Sequence, residues 1–230
     1  SKSIGLLQMS NVKTRPRLNS KLVDVRGETR GEVEEAFSGC EGVRLGQGWK
    51  ADLDPDFRSA EVRVGRGKDA LLVWAELQDE DIFNPEARFN HPFYRCGDVF
   101  EVFLRPTNQE AYTELHVGPA NQNFQLRIPS AATFTEHLAN PEGWQQWVVP
   151  ERFFESQVWI EPGLARWWVL ARIPFRSISE QPVKKGDTWL FSFSRYDYTR
   201  GKAEPVYSSS SPHAQLSFHR QQEWGTLTFD

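Results

Sequence analysis

The side chains of this chain with the most chemistry to offer fall in two neighbouring stretches. Cys96-Gly97-Asp98-Val99-Phe100-Glu101-Val102-Phe103-Leu104-Arg105-Pro106 reads as a β-strand entered through Gly97 and stopped by Pro106. Strand side chains alternate between faces, so Phe100, Val102 and Leu104 form an apolar face. Val99, Glu101 and Phe103 point the other way, with Asp98 at the strand mouth. A second strand follows after a short polar connection, Tyr112-Thr113-Glu114-Leu115-His116-Val117. Its Tyr112, Glu114 and His116 share one face, and Leu115 and Val117 the other. Two adjacent strands thus each present a dry face and a face carrying carboxylate, imidazole and phenol. Carboxylates accept strong, charge-assisted hydrogen bonds. A polar face of this kind, on a scaffold rich in aromatic rings, suits a ligand covered in hydroxyls. The competing reading pairs Glu101, Glu114 and His116 with a cation on the same sheet face, for which Arg127 is the candidate.

A second set of oxygens lies at a strand end. Asp79, Glu80 and Asp81 open a long loop, and clustered hard oxygens suit calcium, with Asp79 and Asp81 as the ligands. Solvated loop acids are the bland alternative. Asp52-Leu53-Asp54-Pro55-Asp56 is a further acidic cluster. It is not an EF-hand, because the sixth place lacks Gly and the twelfth is Arg63.

Composition limits what these groups can belong to. At 230 residues the chain is one domain, or one domain plus an arm, long enough to bury a core without staples. Nine Trp and sixteen Phe stand against a single Met, so many rings must be core. The net charge of −4 and the scattered Lys and Arg lack the basic stripe of a nucleic-acid binder. No apolar run approaches the ~20 residues of a membrane-spanning helix. Ser1 to Asn11 hold only a short Ile4-Gly5-Leu6-Leu7 patch and no signal-peptide pattern, which leaves open a signal upstream. Cys40 and Cys96 read either as a pair or as two free thiols, and no Cys/His cluster has zinc spacing.

The elements that must position the polar face read as strands and turns. Residues 1–30 are polar and basic and read as an extended arm over a domain of residues 31–230. Ala60–Gly65, the turn Gly65–Asp69 and Ala70–Leu77 make a β-hairpin. A long loop rich in Pro, Asn and aromatics runs from Gln78 to Arg95, and loops this long are more often functional than idle. Asn123–Ile128 is another alternating strand, and 130–150 is less regular. Val158–Ile160 and Arg166–Ile173 form a second hairpin, with a helical turn at Pro174–Ile178. Strands at Thr188–Tyr198 and Gly225–Phe229 close the chain. No segment longer than ten residues keeps a helical apolar period, and roughly ten short strands with regular turn signals predict an all-β antiparallel sandwich.

Six pieces, in order, resemble carbohydrate-binding module family 9 and, more loosely, the related DOMON domains. They are Leu72-Val73-Trp74-Ala75 with Asp79–Ile82; Gly97–Leu104, near the family's D-x-V-E-[IV]-F strand; and Tyr112–Val117. Trp167 through Ala171-Arg172-Ile173-Pro174 matches W-x-x-E-x-x-I-P, and Gly186-Asp187-Thr188-Trp189 runs on to Phe193–Asp197. Phe218-His219 with Trp224–Phe229 matches F-H-x(n)-F-G-x-[LI]-x-F. The likeness spans roughly residues 30–230. It implies a jelly-roll-like antiparallel β-sandwich, bound calcium in many members, an extracytoplasmic setting, and capture of a mono-, oligo- or polysaccharide without catalysis.

The departures are specific. Family members clamp a sugar between two tryptophans. This chain has Tyr94-Arg95 at the first position and Pro205-Val206-Tyr207-Ser208-Ser209 at the second, so the implied clamp is Tyr94 and Tyr207. A flat ring against a sugar's apolar face gains burial and direction together. Arg95 and Arg195 are forks for paired oxygens, although Arg195 pairs equally well with Asp197 or Asp98. The glutamate of W-x-x-E is Leu170 here. The expected ligand set is Tyr94, Arg95, Asp98, Glu101, Tyr112, Glu114, His116, Arg195 and Tyr207. Two other readings use the same fold. Glu101 and Glu114 could serve as a glycosidase acid and base, although no hydrolase or nucleotide motif is present. A protein-interaction domain with a lost sugar site is the other. DOMON haem ligation needs a Met and a His, and the only Met is Met9, in the arm.

Overall fold

In a computed structural model, residues 10–26, 29–140 and 143–230 are described. Met9 and the Ile4–Leu7 patch lie outside them. Among the described residues there are twelve strands: β1 (Arg17–Leu22), β2 (Gly42–Arg44), β3 (Ala60–Arg66), β4 (Ala70–Gln78), β5 (Val99–Pro106), β6 (Tyr112–Val117), β7 (Asn123–Ile128), β8 (Glu155–Glu161), β9 (Arg166–Pro174), β10 (Thr188–Asp197), β11 (Val206–Ser209) and β12 (Gly225–Phe229). Three short helices accompany them, α1 (Arg30–Ala36), α2 (Ala131–Ala139) and α3 (Phe175–Ile178).

The strands form two sheets. The first runs β7-β6-β5-β10-β12, with β11 also paired to β10; the second runs β3-β4-β9-β8, with β2 beside β3. The segment that reads as an arm supplies β1, which joins the two sheets. Arg17–Ser20 pair in parallel with Thr226–Phe229 of β12, and Lys21–Leu22 pair in parallel with Gly65–Arg66 of β3. The other pairings are antiparallel. The hairpins β3–β4 and β8–β9, the strands β5–β7 and the helical turn α3 lie where the alternation predicts them. Both Pro106 and Pro174 are the last residues of their strands, where a missing N–H costs the ladder little.

The expected parity holds. Phe100, Val102, Leu104, Leu115 and Val117 face inward and meet Val62, Val73, Trp167 and Val169 of the opposite sheet in one core. Each fully buried side chain of this size stabilises the fold by about 1.5–3 kcal/mol. The outward faces are covered as well. On the second sheet, Trp74 and Trp168 pack under Val33 of α1 and Phe37, the residue that caps its C-terminus. That helix opens with a capping box of Thr29 and Glu32. On the first sheet, Phe93, Phe103, Tyr112, Phe124 and Trp224 form a third cluster, against which Phe134 of α2 and Trp144 pack. Cys40 and Cys96 are free thiols, the first buried and the second exposed. Among the described residues no helix is long and apolar enough to cross a membrane.

Candidate functional site

Glu101, Glu114 and His116 meet on the outward face of the first sheet, as their parity requires. Register brings them together: Glu101 lies opposite His116 across β5–β6, and Ser194 of β10 lies opposite Glu101 on its other side. His116 Nε2 donates to Glu114 Oε1 at 2.8 Å and stands 3.2 Å from Glu101 Oε1. Ser194 Oγ donates to Glu101 Oε2 at 2.8 Å. His219 extends the network, with Nε2 3.3 Å from Glu114 Oε2 and Nδ1 2.8 Å from the Tyr112 hydroxyl. Arg127, the candidate cation of the competing reading, does not join the cluster and reaches Glu180 at 3.3 Å instead.

The polar network lies beneath a layer of rings. Glu101 and His116 are each 1 % exposed and Glu114 8 %. Phe93, Tyr94 and Phe124 meet the His116 ring edge-on at 5.2–6.0 Å. Phe134 stacks on His219 at 3.6 Å and 11°. Burial pushes the Glu101 carboxyl up to about 7 against the pull of His116. The same burial opposes charge on His116, yet Glu101 and Glu114 together outweigh it and hold the imidazolium above its usual range. Burial likewise opposes charge on Glu114, and His219 and His116 outweigh it, so this carboxyl sits below the usual range. A glycosidase pair must touch the bond it cleaves, and these two carboxylates share one imidazole under the aromatic layer.

The two tyrosines of the expected clamp both pack on a third, Tyr196, which sequence reading missed. Tyr94 meets its ring at 5.9 Å and 72°, and Tyr207, its cross-strand partner, at 4.9 Å and 80°. All three are half-buried, so together they form a stepped ledge at the sheet rim. The loop between β4 and β5 is pinned there: Asn90 accepts from Gln125 N and donates to Val149 O, and the Tyr198 hydroxyl donates to Tyr94 O at 2.7 Å. Arg95 is exposed, its guanidinium 5.5 Å from the Tyr94 ring centroid. Beyond Tyr207 the ledge continues into a cleft of about 390 Å³ lined by Trp49, Lys50, Asp54, Asp56, Glu204 and Tyr207. Trp49 and Tyr207 each lean edge-on against Phe218, at 6.3 and 6.4 Å. Trp49 follows Gly48 in a stretch without alternation, so no sequence signal separates it from a packed loop ring. His219 was within reach, since it stands in the Phe218-His219 motif that the resemblance already singled out.

Asp98 and Arg195 do not join this set. They share the parity of Phe100 and Phe193 and turn between the two sheets. Asp98 accepts from the backbone N–H of Phe83 and of Tyr198, at 2.7 and 2.8 Å. Arg195, 1 % exposed, stands 3.4 Å from Asp79 and 3.6 Å from Asp197 and donates to the carbonyls of Arg58, Ser59 and Gln78. Carboxylate oxygens of Asp79, Asp98 and Asp197 lie within 4.8 Å of one another. The residues present do not fit calcium, because the guanidinium already supplies the positive charge of this oxygen cage. Asp79 also accepts from Asp81 N and Trp167 Nε1, while Asp81 pairs outward with Arg200 at 2.5 Å.

Burial and the nearby Asp79 push Asp98 up to about 9, against its two backbone donors and Arg195. The folded protein therefore binds a proton here that the unfolded chain releases near 4. Stability from this group is full below that value and is lost as pH rises toward 9. Thermal unfolding at pH 7, 8 and 9 is expected to show a falling Tm, equivalent to about 1–3 kcal/mol. In Asp98→Asn the slope flattens; an unchanged slope would assign the effect elsewhere.

No protein-family model matches the sequence, and no curated protein does. Solved structures do match. A proposed carbohydrate-binding protein from Bacteroides uniformis superposes with TM-score 0.67 at 16 % identity, over 93 % of this chain and 99 % of that one. A family 9 carbohydrate-binding module from Caldicellulosiruptor kristjanssonii in complex with cellotriose gives 0.62 at 16 % identity, over 94 % of each chain. A family 9 module of the same organism in complex with glucose gives 0.60 at 13 % identity, over 94 % of this chain and 96 % of that one. The chain therefore has the fold of a family 9 carbohydrate-binding module.

Proposed function

We propose that the protein binds saccharides without catalysis, on the ledge of Tyr94, Tyr196 and Tyr207 and in the cleft beside Trp49. The observation that supports this most is the cleft itself, where two half-buried rings stand among Lys50, Asp54, Asp56 and Glu204. Apolar ring faces with a few placed polar groups are the usual make-up of such sites. Two of the polar groups are pre-oriented, since Asp54 is held by Lys50 and by Gln47 and Asp56 by Lys202. Arg95 supplies a donor fork at the opposite end. In this conformation Glu101, Glu114 and His116 support the ledge from below. The relatives of this fold were solved with glucose and cellotriose, which makes glucans the first ligands to test.

A single site of this kind gives dissociation constants of about 1 μM to 1 mM. Isothermal titration against hits from a glycan array is expected to show Tyr207→Ala and Trp49→Ala each weakening binding about tenfold or more, some 1.4 kcal/mol. Tyr94→Ala weakens it less. Unchanged affinity in both Tyr94→Ala and Tyr207→Ala would remove the ledge from consideration.

A further inference from the structure

The buried cluster under the ledge has a donor set of its own. We propose that Glu101, Glu114 and His116 form a three-ligand binding site for a divalent transition-metal ion of the zinc type, with the fourth position left to water and His219 holding the second oxygen of Glu114. This inference does not rest on the saccharide reading.

Geometry is the first support. The donor atoms of Glu101, Glu114 and His116 all lie within 4.8 Å of one another. His116 Nε2 stands 2.8 Å from Glu114 and 3.2 Å from Glu101, and His219 Nε2 stands 3.3 Å from Glu114. In a tetrahedral site with bonds of about 2.0–2.1 Å, neighbouring ligand atoms are roughly 3.3 Å apart. The two His116 separations are already close to that spacing, and rotation of the two carboxylates about their side chains would bring the third pair to it.

Charge is the second. Nε2 of His116 carries at most one hydrogen, yet carboxylate oxygens of two glutamates converge on it. No Lys or Arg joins them: among the described residues the ion pairs of Glu101 and Glu114 are with His116 and His219 alone. The inter-sheet aspartates differ, because Arg195 sits among them. His116 is 1 % exposed and its Nδ1 meets no partner, so only the group at Nε2 fixes the ring by polar contact.

An outer layer is the third. Ser194 donates to the far oxygen of Glu101, and Tyr112 is hydrogen-bonded to His219 Nδ1, the nitrogen away from the cluster. Metal-bound carboxylates and imidazoles are oriented by partners of this kind. Mixed imidazole and carboxylate donors favour zinc and its neighbours over calcium.

The test is titration of chelator-treated protein with Zn²⁺ by calorimetry and with Co²⁺ by visible absorption. The expected result is one equivalent per chain, four-coordinate Co²⁺ bands and a raised Tm. Glu114→Gln and His116→Gln should each weaken binding at least 100-fold, while Asp81→Asn, on the exposed loop, leaves it unchanged. Should either cluster variant fail to fold, the imidazole NMR signals of wild type decide: those of His116 and His219 must shift together on adding Zn²⁺. No uptake by wild type at tens of micromolar Zn²⁺, or equal uptake by Glu114→Gln, overturns the proposal. Saccharide affinity of the metal-free protein is measured alongside, so that failure of one idea is not mistaken for failure of the other.

Discussion

Arg195→Met is expected to destabilise the protein by about 3–5 kcal/mol, the cost of breaking a buried ion pair by removing one partner. The methionine fills much of the same volume, so the loss is mainly electrostatic. Without the guanidinium, Asp79 and Asp197 face each other and Asp98 in a place from which water is excluded, and the carbonyls of Arg58, Ser59 and Gln78 each lose one donor. Burial already pushes Asp197 up to about 6 even with Arg195 beside it. Guanidinium chloride unfolding gives the number directly. Adding Asp197→Asn to Arg195→Met should recover part of the loss, since it removes one of the stranded charges. A loss below about 1 kcal/mol would mean that water enters the cage and screens it. Added Ca²⁺ should leave the wild-type Tm unchanged, while Arg195→Met should acquire sensitivity to Ca²⁺.

Trp224→Ala should cost about 3–5 kcal/mol as well, by a different route. This side chain has no exposed area and packs on Phe103 and Tyr112, with ring centroids at 5.5 and 5.6 Å. Its Nε1 donates to the Phe218 carbonyl at 2.8 Å. Truncation opens a cavity beneath the sheet face and leaves that carbonyl without its donor. Phe218 supports both Trp49 and Tyr207, and its neighbour His219 stacks on Phe134. The variant should therefore lose saccharide affinity along with stability, and its near-ultraviolet circular dichroism should change more than its far-ultraviolet signal. A variant that is destabilised but binds normally would show that the ledge is held from elsewhere.

Much of the scaffold was legible because strand parity is a strict code. Phe100 and Val102 on one side, Glu101 and Phe103 on the other, follow from the order of residues alone, and the register of β5 with β6 then puts Glu101 beside His116. The same code read two residues further back assigns Asp98 to the inner face, with Phe100, and read forward from Phe193 it does the same for Arg195. Side-chain type alone suits both to the ligand set, but parity turns them inward. The cover over the polar face was not legible. Phe134 and Trp144 lie in a stretch with no sustained period, and only tertiary packing brings them over β6 and β7. Nor was β1, whose Arg-Leu-Asn-Ser-Lys-Leu is polar at most positions because it is exposed at alternate residues and borrows its hydrogen bonds from two sheets. The opening of α1 did carry a signal, Thr29 followed by Glu32, which is the spacing of a capping box.

The seam made by β1 also sets an order of events. Asn19 and Ser20 find their partners in Thr228 and Phe229, about the widest separation the chain allows. A polypeptide emerging from a ribosome has made β1 long before β12 exists, so the sandwich cannot be closed vectorially. Until β12 has been made, Arg17–Ser20 of β1 and the edge of β10 that receives β12 stand unpaired. Contacts of such long sequence separation slow folding and leave strand edges open to other chains. The nascent domain should therefore depend on holding factors, and disrupting β12 should harm assembly out of proportion to the contacts removed.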